Sequence, residues 1–225
     1  MLGLSFLHRH PGGGARSAGN PAARPHIVRM RTFVRSLVLA LVLIALEGVM
    51  RPWLENIAYA IRLGAMPTPT SLPVPVAGVQ SARLVDTWGG ARSEGRKHEG
   101  IDIFAKRGTP VLSATEGIVM RVGTNRLGGQ VVWVLGPGGQ RHYYAHLDSY
   151  GDVHPGMRID AGRIVGYVGN TGNAVTTPPH LHYGIYTAGG AINPYPFLHS
   201  YKRTGDDRLA GRSSVRRTTI VQTYP

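Results

Sequence analysis

The sequence predicts a mainly β domain preceded by a membrane helix. From about Ser81 to Leu198, short runs rich in β-branched and aromatic residues are separated by glycine-containing turns. No long amphipathic helical pattern interrupts this region. Before it lies one uninterrupted apolar run with an arginine directly ahead. A chain of 225 residues therefore holds one ordinary domain with appendages.

The first residues predict a basic, disordered leader that we assign to residues 1–32. Residues 1–29 are rich in Gly, Ala, Arg and Pro and lack an apolar period. The segment from Met30 has the form of an export signal by itself, so a start at Met30 is an alternative to Met1.

Residues 33–50 predict a single-pass signal anchor. The apolar run 37–46, extended to about Met50, approaches the roughly 20 residues that cross a bilayer. Arginines before the run keep that end in the cytoplasm, so the chain after residue 50 lies outside the inner membrane. The alternative is a cleaved signal peptide and a secreted form, although no small-x-small cleavage site follows promptly.

Residues 51–80 predict a juxtamembrane helix and a proline-rich linker. The helix carries an apolar stripe that either lies on the lipid surface or packs against the domain. The stripe consists of Trp53, Leu54, Ile57, Ala58 and Ile61. Four prolines between residues 67 and 75 then indicate an extended connection.

Residues 81–200 predict the β domain, and residues 201–225 predict a basic, disordered tail. Residues 136–139, Gly-Pro-Gly-Gly, join two strands as a hairpin. The candidate strands are Gly100–Phe104, Val111–Ser113, Ile118–Val122, Gln130–Leu135, Arg141–His146, Arg163–Val168 and His180–Tyr186.

Charge and cysteine content exclude several classes of protein. The net charge of +13 is concentrated at the two ends of the chain. No nucleic-acid-binding motif accompanies it, so we expect no nucleic-acid partner. Because the chain has no cysteine, it cannot form disulfides, zinc ribbons or a thiolate nucleophile. Nothing in the sequence indicates an oligomeric state.

Two short motifs carry imidazole and carboxylate groups at strand spacing. They are His98-Glu99-Gly100-Ile101-Asp102 and His180-Leu181-His182. Residues i, i+2 and i+4 of a strand share a face, so each motif places two polar side chains together. A catalytic zinc site needs three such ligands and one open position. The two motifs supply three ligands with one histidine to spare, which predicts a metal-dependent hydrolase.

With these motifs in view, the chain resembles the M23 family of zinc metallopeptidases, the lysostaphin- and LytM-like peptidoglycan endopeptidases, over about residues 85–197. The resemblance implies a compact antiparallel β fold with a groove that holds Zn²⁺. The matching stretches are 98–103 (HEGIDI), 108–111 (GTPV), 117–119 (GIV), 144–147 (YAHL), 169–172 (GNTG) and 180–182 (HLH).

Carried over by position, the resemblance implies that His98, Asp102 and His182 are the metal ligands. It implies that His180 and His146 are a catalytic pair that does not bind the metal. We favour His180 as the general base, because it shares a strand face with His182. His146 would orient water or stabilise the tetrahedral intermediate, and the two roles can be exchanged.

The expected function is hydrolysis of peptide bonds in peptidoglycan stems or cross-links by a zinc-dependent endopeptidase at the inner membrane. The alternative is a LytM-like activator or scaffold of cell-wall amidases, although such proteins tend to have lost some of the five site residues. A non-haem iron oxygenase is disfavoured, because three residues separate His98 from Asp102 where those enzymes usually carry His-x-Asp.

Some neighbouring residues are expected to have no catalytic role. We expect Tyr144 to pack in the core and Arg92 and Arg96 to be exposed on the surface. Three further histidines lack a partner motif and are expected to be solvated: His142, His154 and His199.

Overall fold

The computed structural model describes residues 24–200, with side chains from residue 29 onward. The predicted tail, residues 201–225, and most of the predicted leader lie outside the described residues. The chain divides into two units, Met1–Pro52 and Trp53–Pro225, which we describe separately.

The first helix, α1, spans Arg24–Ala65. It begins inside the segment predicted as a leader, and Pro25 in its first turn is compatible with a helix start. In the described part of the chain, α1 is the one helix long and apolar enough to cross a membrane. A signal sequence near the N-terminus would also be apolar enough to satisfy this criterion, so a membrane anchor and a cleaved signal peptide both remain compatible with the helix.

The β domain is a nine-stranded, entirely antiparallel arrangement, which confirms the predicted fold class. Neighbouring strands follow the order β1-β8-β5-β4-β3-β6, while β7 joins β2 to β5, and β9 pairs with β8. The strands are β1 Ile101–Phe104, β2 Pro110–Leu112, β3 Gly117–Asn125, β4 Gly129–Leu135, β5 Arg141–Tyr150, β6 Arg158–Ile159, β7 Ile164–Val168, β8 His180–Thr187 and β9 Gly190–Ile192. A short helix, α2 (Tyr195–His199), follows.

All seven predicted strands are present, and two short strands, β6 and β9, were not predicted. β6 has two residues and β9 has three, so neither shows a clear period-2 pattern.

Alternation along β1 separates the core from the polar face of the sheet. Ile101 and Ile103 are buried in the main hydrophobic core, whereas Asp102 between them is only partly buried. On the neighbouring strand β8, Leu181 and Tyr183 point into the same core. The polar residues of both strands are thereby placed together on the other face.

The core extends into the segment predicted as a linker. Leu72 and Val76 are members of the main cluster, and Val76 forms an antiparallel bridge with Val111. The Leu72 amide also donates to the Phe197 carbonyl at 2.9 Å. The proline-rich segment is therefore packed against the sheet.

The last turns of α1 also pack within the second unit. Leu63 is completely buried. Asn56 Nδ2 donates to the Gly156 carbonyl at 2.9 Å, and the Tyr59 hydroxyl donates to Glu116 Oε2 at 2.9 Å. The apolar stripe predicted on this helix faces away from these contacts, since Trp53 is 69% exposed.

Candidate metal centre

Pairing of β1 with β8 brings the two polar motifs together. Asp102 lies directly opposite His182 in the antiparallel register, although 80 residues separate them. On its other side, β8 pairs with β5, where His182 lies opposite Ala145. The two motifs therefore meet on the face of the sheet opposite the core.

Three side chains converge closely enough to share one cation. The distances are 2.8 Å from His98 Nε2 to His182 Nδ1, 3.0 Å from His98 Nε2 to Asp102 Oδ1, and 3.3 Å from His182 Nδ1 to Asp102 Oδ1. A tetrahedral zinc centre with bonds of about 2.0–2.1 Å separates its donors by about 3.4 Å. The arrangement matches a single metal ion in scale.

The backbone around the site orients the His98 ring. His98 is almost fully buried, and its Nδ1 lies 2.7 Å from the Thr87 carbonyl oxygen. A carbonyl only accepts, so Nδ1 carries the proton and Nε2 faces the site as a lone pair. Metal-binding histidines commonly have such a partner on the second nitrogen.

Asp102 is held as a carboxylate. Burial alone would raise its pKa, but the His182 and His98 rings, when they carry a proton toward the carboxylate, outweigh burial and keep the pKa well below its ordinary value. Arg92 Nη2 donates to Asp102 Oδ2 at 2.5 Å, which leaves Oδ1 on the side of the imidazoles. The prediction of an exposed Arg92 was wrong, because this ion pair keeps the side chain about two-thirds covered.

His180 presents its Nε2 to the same site. Its Nδ1 lies 2.8 Å from the Pro178 carbonyl oxygen, so Nε2 carries the lone pair. That nitrogen is 3.8 Å from Asp102 Oδ1. The ring also lies against Phe104, with 5.1 Å between centroids.

His146 reaches the site from β5 through an unusual backbone conformation. Its φ of 61° lies in the left-handed region, which is uncommon for residues other than glycine. Its Nδ1 lies 2.8 Å from the Thr171 carbonyl oxygen, and its ring is 5.0 Å from that of His180. Burial, together with the nearby His182 and His180 rings, lowers the pKa of His146 to about 4, so the ring is neutral at pH 7.

This set of atoms fits a divalent cation. His98 Nε2, Asp102 Oδ1 and one nitrogen of His182 are electron-pair donors that face one another at short range. Without a positive charge between them, such donors repel. Two imidazoles and one carboxylate are ligands that zinc prefers. The structure therefore contains a possible His/Asp metal site with two further imidazoles beside it.

Outside the site, His142 corrects one prediction and Tyr144 confirms another. His142 is fully buried, with Nδ1 2.7 Å from the Tyr183 hydroxyl, so the expectation of a solvated ring was wrong. Tyr144 is also fully buried, and its oxygen accepts from the Ala114 amide, so it packs in the core as expected. His154 and His199 are exposed, as predicted.

Gly100 is a site residue whose role the sequence reading missed. A Cβ atom there would lie 2.6 Å from the Tyr183 carbonyl oxygen and 2.7 Å from Cε1 of the His182 ring. Only glycine allows β8 and the His182 ring to approach this closely. Its position inside the first motif was the available indication.

Comparisons with known proteins agree with this geometry. Residues 96–194 match Peptidase family M23. The chain is 38% identical over 145 residues to the L-Ala–D-Glu endopeptidase of Bacillus subtilis, which covers 59% of this chain and 44% of that protein. It is 36% identical over 112 residues to lysostaphin of Staphylococcus simulans, which covers 47% of this chain and 22% of that protein.

Among solved structures, a peptidase M23 structure from Pseudomonas aeruginosa has a TM-score of 0.51 and 26% identity, covering 69% of this chain and 64% of that one. The chain spans less than half the length of the curated relatives named above. The family match at residues 96–194 includes both polar motifs, all nine strands and all five candidate site residues. Residues 96–194 thus form a domain of peptidase family M23, and the antiparallel β fold is similar to that of the Pseudomonas aeruginosa structure.

Proposed function

We propose that this protein is a zinc-dependent endopeptidase that hydrolyses peptide bonds in peptidoglycan stems or cross-links. The observation that carries the proposal is the convergence of His98, Asp102 and His182 donor atoms within 4.8 Å of one another, beside two more imidazoles. The Bacillus subtilis relative described above is an L-Ala–D-Glu endopeptidase, which supports hydrolysis rather than redox chemistry at this site.

We assign His98 Nε2, Asp102 Oδ1 and His182 Nδ1 as the protein ligands. When bound, zinc would supply a Lewis acid that lowers the pKa of water to about 7 and polarises the scissile carbonyl. Two neutral rings and one carboxylate leave such a site with a net charge of about +1, which favours a developing oxyanion. Arg92 supports the set by holding the second oxygen of Asp102.

His180 and His146 would perform the proton transfers. Each ring has Nδ1 beside a backbone carbonyl oxygen, so each presents a basic Nε2 toward the site. We assign His180 as the base that accepts a proton from the attacking water, because its Nε2 is 3.8 Å from Asp102 Oδ1. His180 would then return this proton to the leaving amine, while His146 Nε2 would accept a hydrogen bond from the attacking water and position it.

The proposed location is the outer side of the inner membrane. Arginines precede the apolar part of α1, and the peptidase domain follows it. In this arrangement the domain works within reach of the peptidoglycan layer from a single-pass anchor. Cleavage of α1 as a signal peptide would instead release the domain.

Zinc content and wall digestion test the proposal. The purified full-length chain in detergent should contain about one zinc ion, and it should release muropeptides from isolated sacculi. His180→Ala should keep the metal and lose the activity, whereas His154→Ala, a change at an exposed histidine, should keep both. A wild-type protein that binds no zinc, or binds it and releases nothing, would refute the assignment.

The same variants separate the alternatives. An amidase activator needs no metal chemistry of its own, so His98→Ala would still complement a deletion strain if the protein were an activator. Iron in place of zinc, together with oxygen consumption, would indicate the oxygenase. We expect neither result.

A further inference from the structure

A cleft of about 400 Å³ opens beside the candidate metal centre. Asp102 and Thr87 are among the residues that line it. Its walls come from the chain before β1 and from the end of β1. The cleft therefore adjoins the place where a scissile bond would lie, without containing the catalytic histidines.

The walls of the cleft are apolar and exposed to solvent. Phe104 is 58% exposed and Val85 is 68% exposed, and both line the cleft. Leu84, also in the wall, is buried against the core and fixes the position of this segment. Exposed apolar side chains beside a reactive centre favour a ligand that brings an aliphatic arm.

One guanidinium at this cleft has no charged partner. Arg83 lines the cleft, and among residues 29–200 no ion pair or side-chain hydrogen bond involves it. The nearest carboxylate along the chain, Asp86, is engaged by the Asn193 side chain and the Trp88 amide. By contrast, Arg92 on the other side of Asp102 is already paired. Arg83 is therefore available to a ligand.

We propose that this cleft binds a substrate residue next to the scissile bond, and that this residue carries a free carboxylate on an aliphatic arm. The inference rests on the proposed peptidase function. The arm would pack against Val85 and Phe104, and the carboxylate would accept hydrogen bonds from the Arg83 guanidinium. The contact of Phe104 with the His180 ring places this subsite beside the proposed base.

The test compares two synthetic stem peptides that differ only in whether that side-chain carboxylate is free or amidated. With the zinc-loaded full-length chain, the ratio of kcat/KM for the free acid to that for the amide should be about 10, the low end for a charge-assisted hydrogen bond. Arg83→Gln should reduce this ratio to about 1. Arg121→Gln, at an arginine four strands away on β3, should leave the ratio at its wild-type value.

Reversing the charge at position 83 gives a second test of the same subsite. Arg83→Glu should invert the preference, so that a peptide with an amine at the same side-chain position is cleaved faster than the free acid. A wild-type ratio near 1, or an Arg83→Gln variant that keeps the wild-type ratio, would overturn the inference.

A binding measurement separates this inference from the function itself. If the wild-type chain cleaves neither peptide nor sacculi, the proposed function fails. The His180→Ala chain can then be titrated with the two peptides by calorimetry. A Kd about tenfold lower for the free acid, lost on adding Arg83→Gln, would sustain the subsite, and equal Kd values would refute it.

Discussion

Gly100→Ala tests whether the candidate site depends on the close approach of β8. The added Cβ would lie 2.6 Å from the Tyr183 carbonyl oxygen and 2.7–2.8 Å from two atoms of the His182 ring. Because both neighbours belong to a paired strand, they must move by several tenths of an ångström. Forcing extra volume into such a position costs about 1–3 kcal/mol of unfolding free energy.

Displacement of the His182 ring should also weaken zinc binding. Small displacements at a site such as this one reduce function by up to about 100-fold. We expect apo Gly100→Ala to be destabilised by about 2 kcal/mol, and its zinc Kd in chelator competition to rise at least about tenfold. Unfolding of the metal-free chain by urea gives the first quantity independently of the second.

Gly123→Ala is the matched control. This glycine lies in β3, and the nearest atom to an added Cβ is Arg121 Nε at 3.8 Å, which is ordinary contact. Alanine in place of a strand glycine should stabilise the chain by up to about 0.5–1 kcal/mol and leave zinc binding unchanged. If the two alanine variants have the same stability and zinc affinity, the packing argument for Gly100 is wrong.

Three further outcomes are expected. At the left-handed position 146, His146→Gly should be about 1 kcal/mol more stable than His146→Ala in thermal unfolding, although both lose activity; equal stabilities would argue against backbone strain there. Burial lowers the pKa of His142 to about 4, so the unfolded chain binds an extra proton between pH 4 and 6.5, and stability is lost as the pH falls through that window. This loss of unfolding free energy should be about 3 kcal/mol smaller in His142→Asn, measured by urea unfolding of the apo protein at pH 7 and pH 4. The same pH dependence in both proteins would refute the lowered pKa of His142. In α1, Leu63→Ala should cost about 2–4 kcal/mol whereas Leu54→Ala, at an exposed position, should change stability by less than about 0.5 kcal/mol; similar effects at both positions would show that this end of the helix does not pack on the domain.

The sequence predicted the strands well because their evidence is local. β1 and β8 alternate apolar and polar residues, and this pattern alone places Asp102 and His182 away from the core. The pairing of the two strands joins residues 80 apart, and no local rule specifies such a register. The family resemblance supplied what the pattern could not.

One error has a physical cause that can be traced, and one segment makes contacts that the sequence did not predict. The prolines before residue 76 predicted an extended linker, and the apolar residues Leu72 and Val76 between and beside them pack into the core. For His142, the indication was present: it shares a strand face with the core residue Tyr144, so its ring was bound to point inward. A polar residue type outweighed the strand position in that prediction, and the Tyr183 hydroxyl provides a hydrogen-bond partner for one of the two buried ring nitrogens.

His146 shows why strand alternation alone would misplace the second histidine that we propose to be catalytic. Two residues after Tyr144, regular alternation would turn His146 into the core. The pairing registers of β5 shift with β4 between Gln130 and Val132, and with β7 between Leu147 and Ser149. At this irregularity the left-handed backbone of His146 brings its ring to 5.8 Å from His182, on the polar face. Such a conformation costs about 1–2 kcal/mol per residue. This cost supports the catalytic role that we propose for His146, because a histidine in the core could be accommodated without a left-handed backbone.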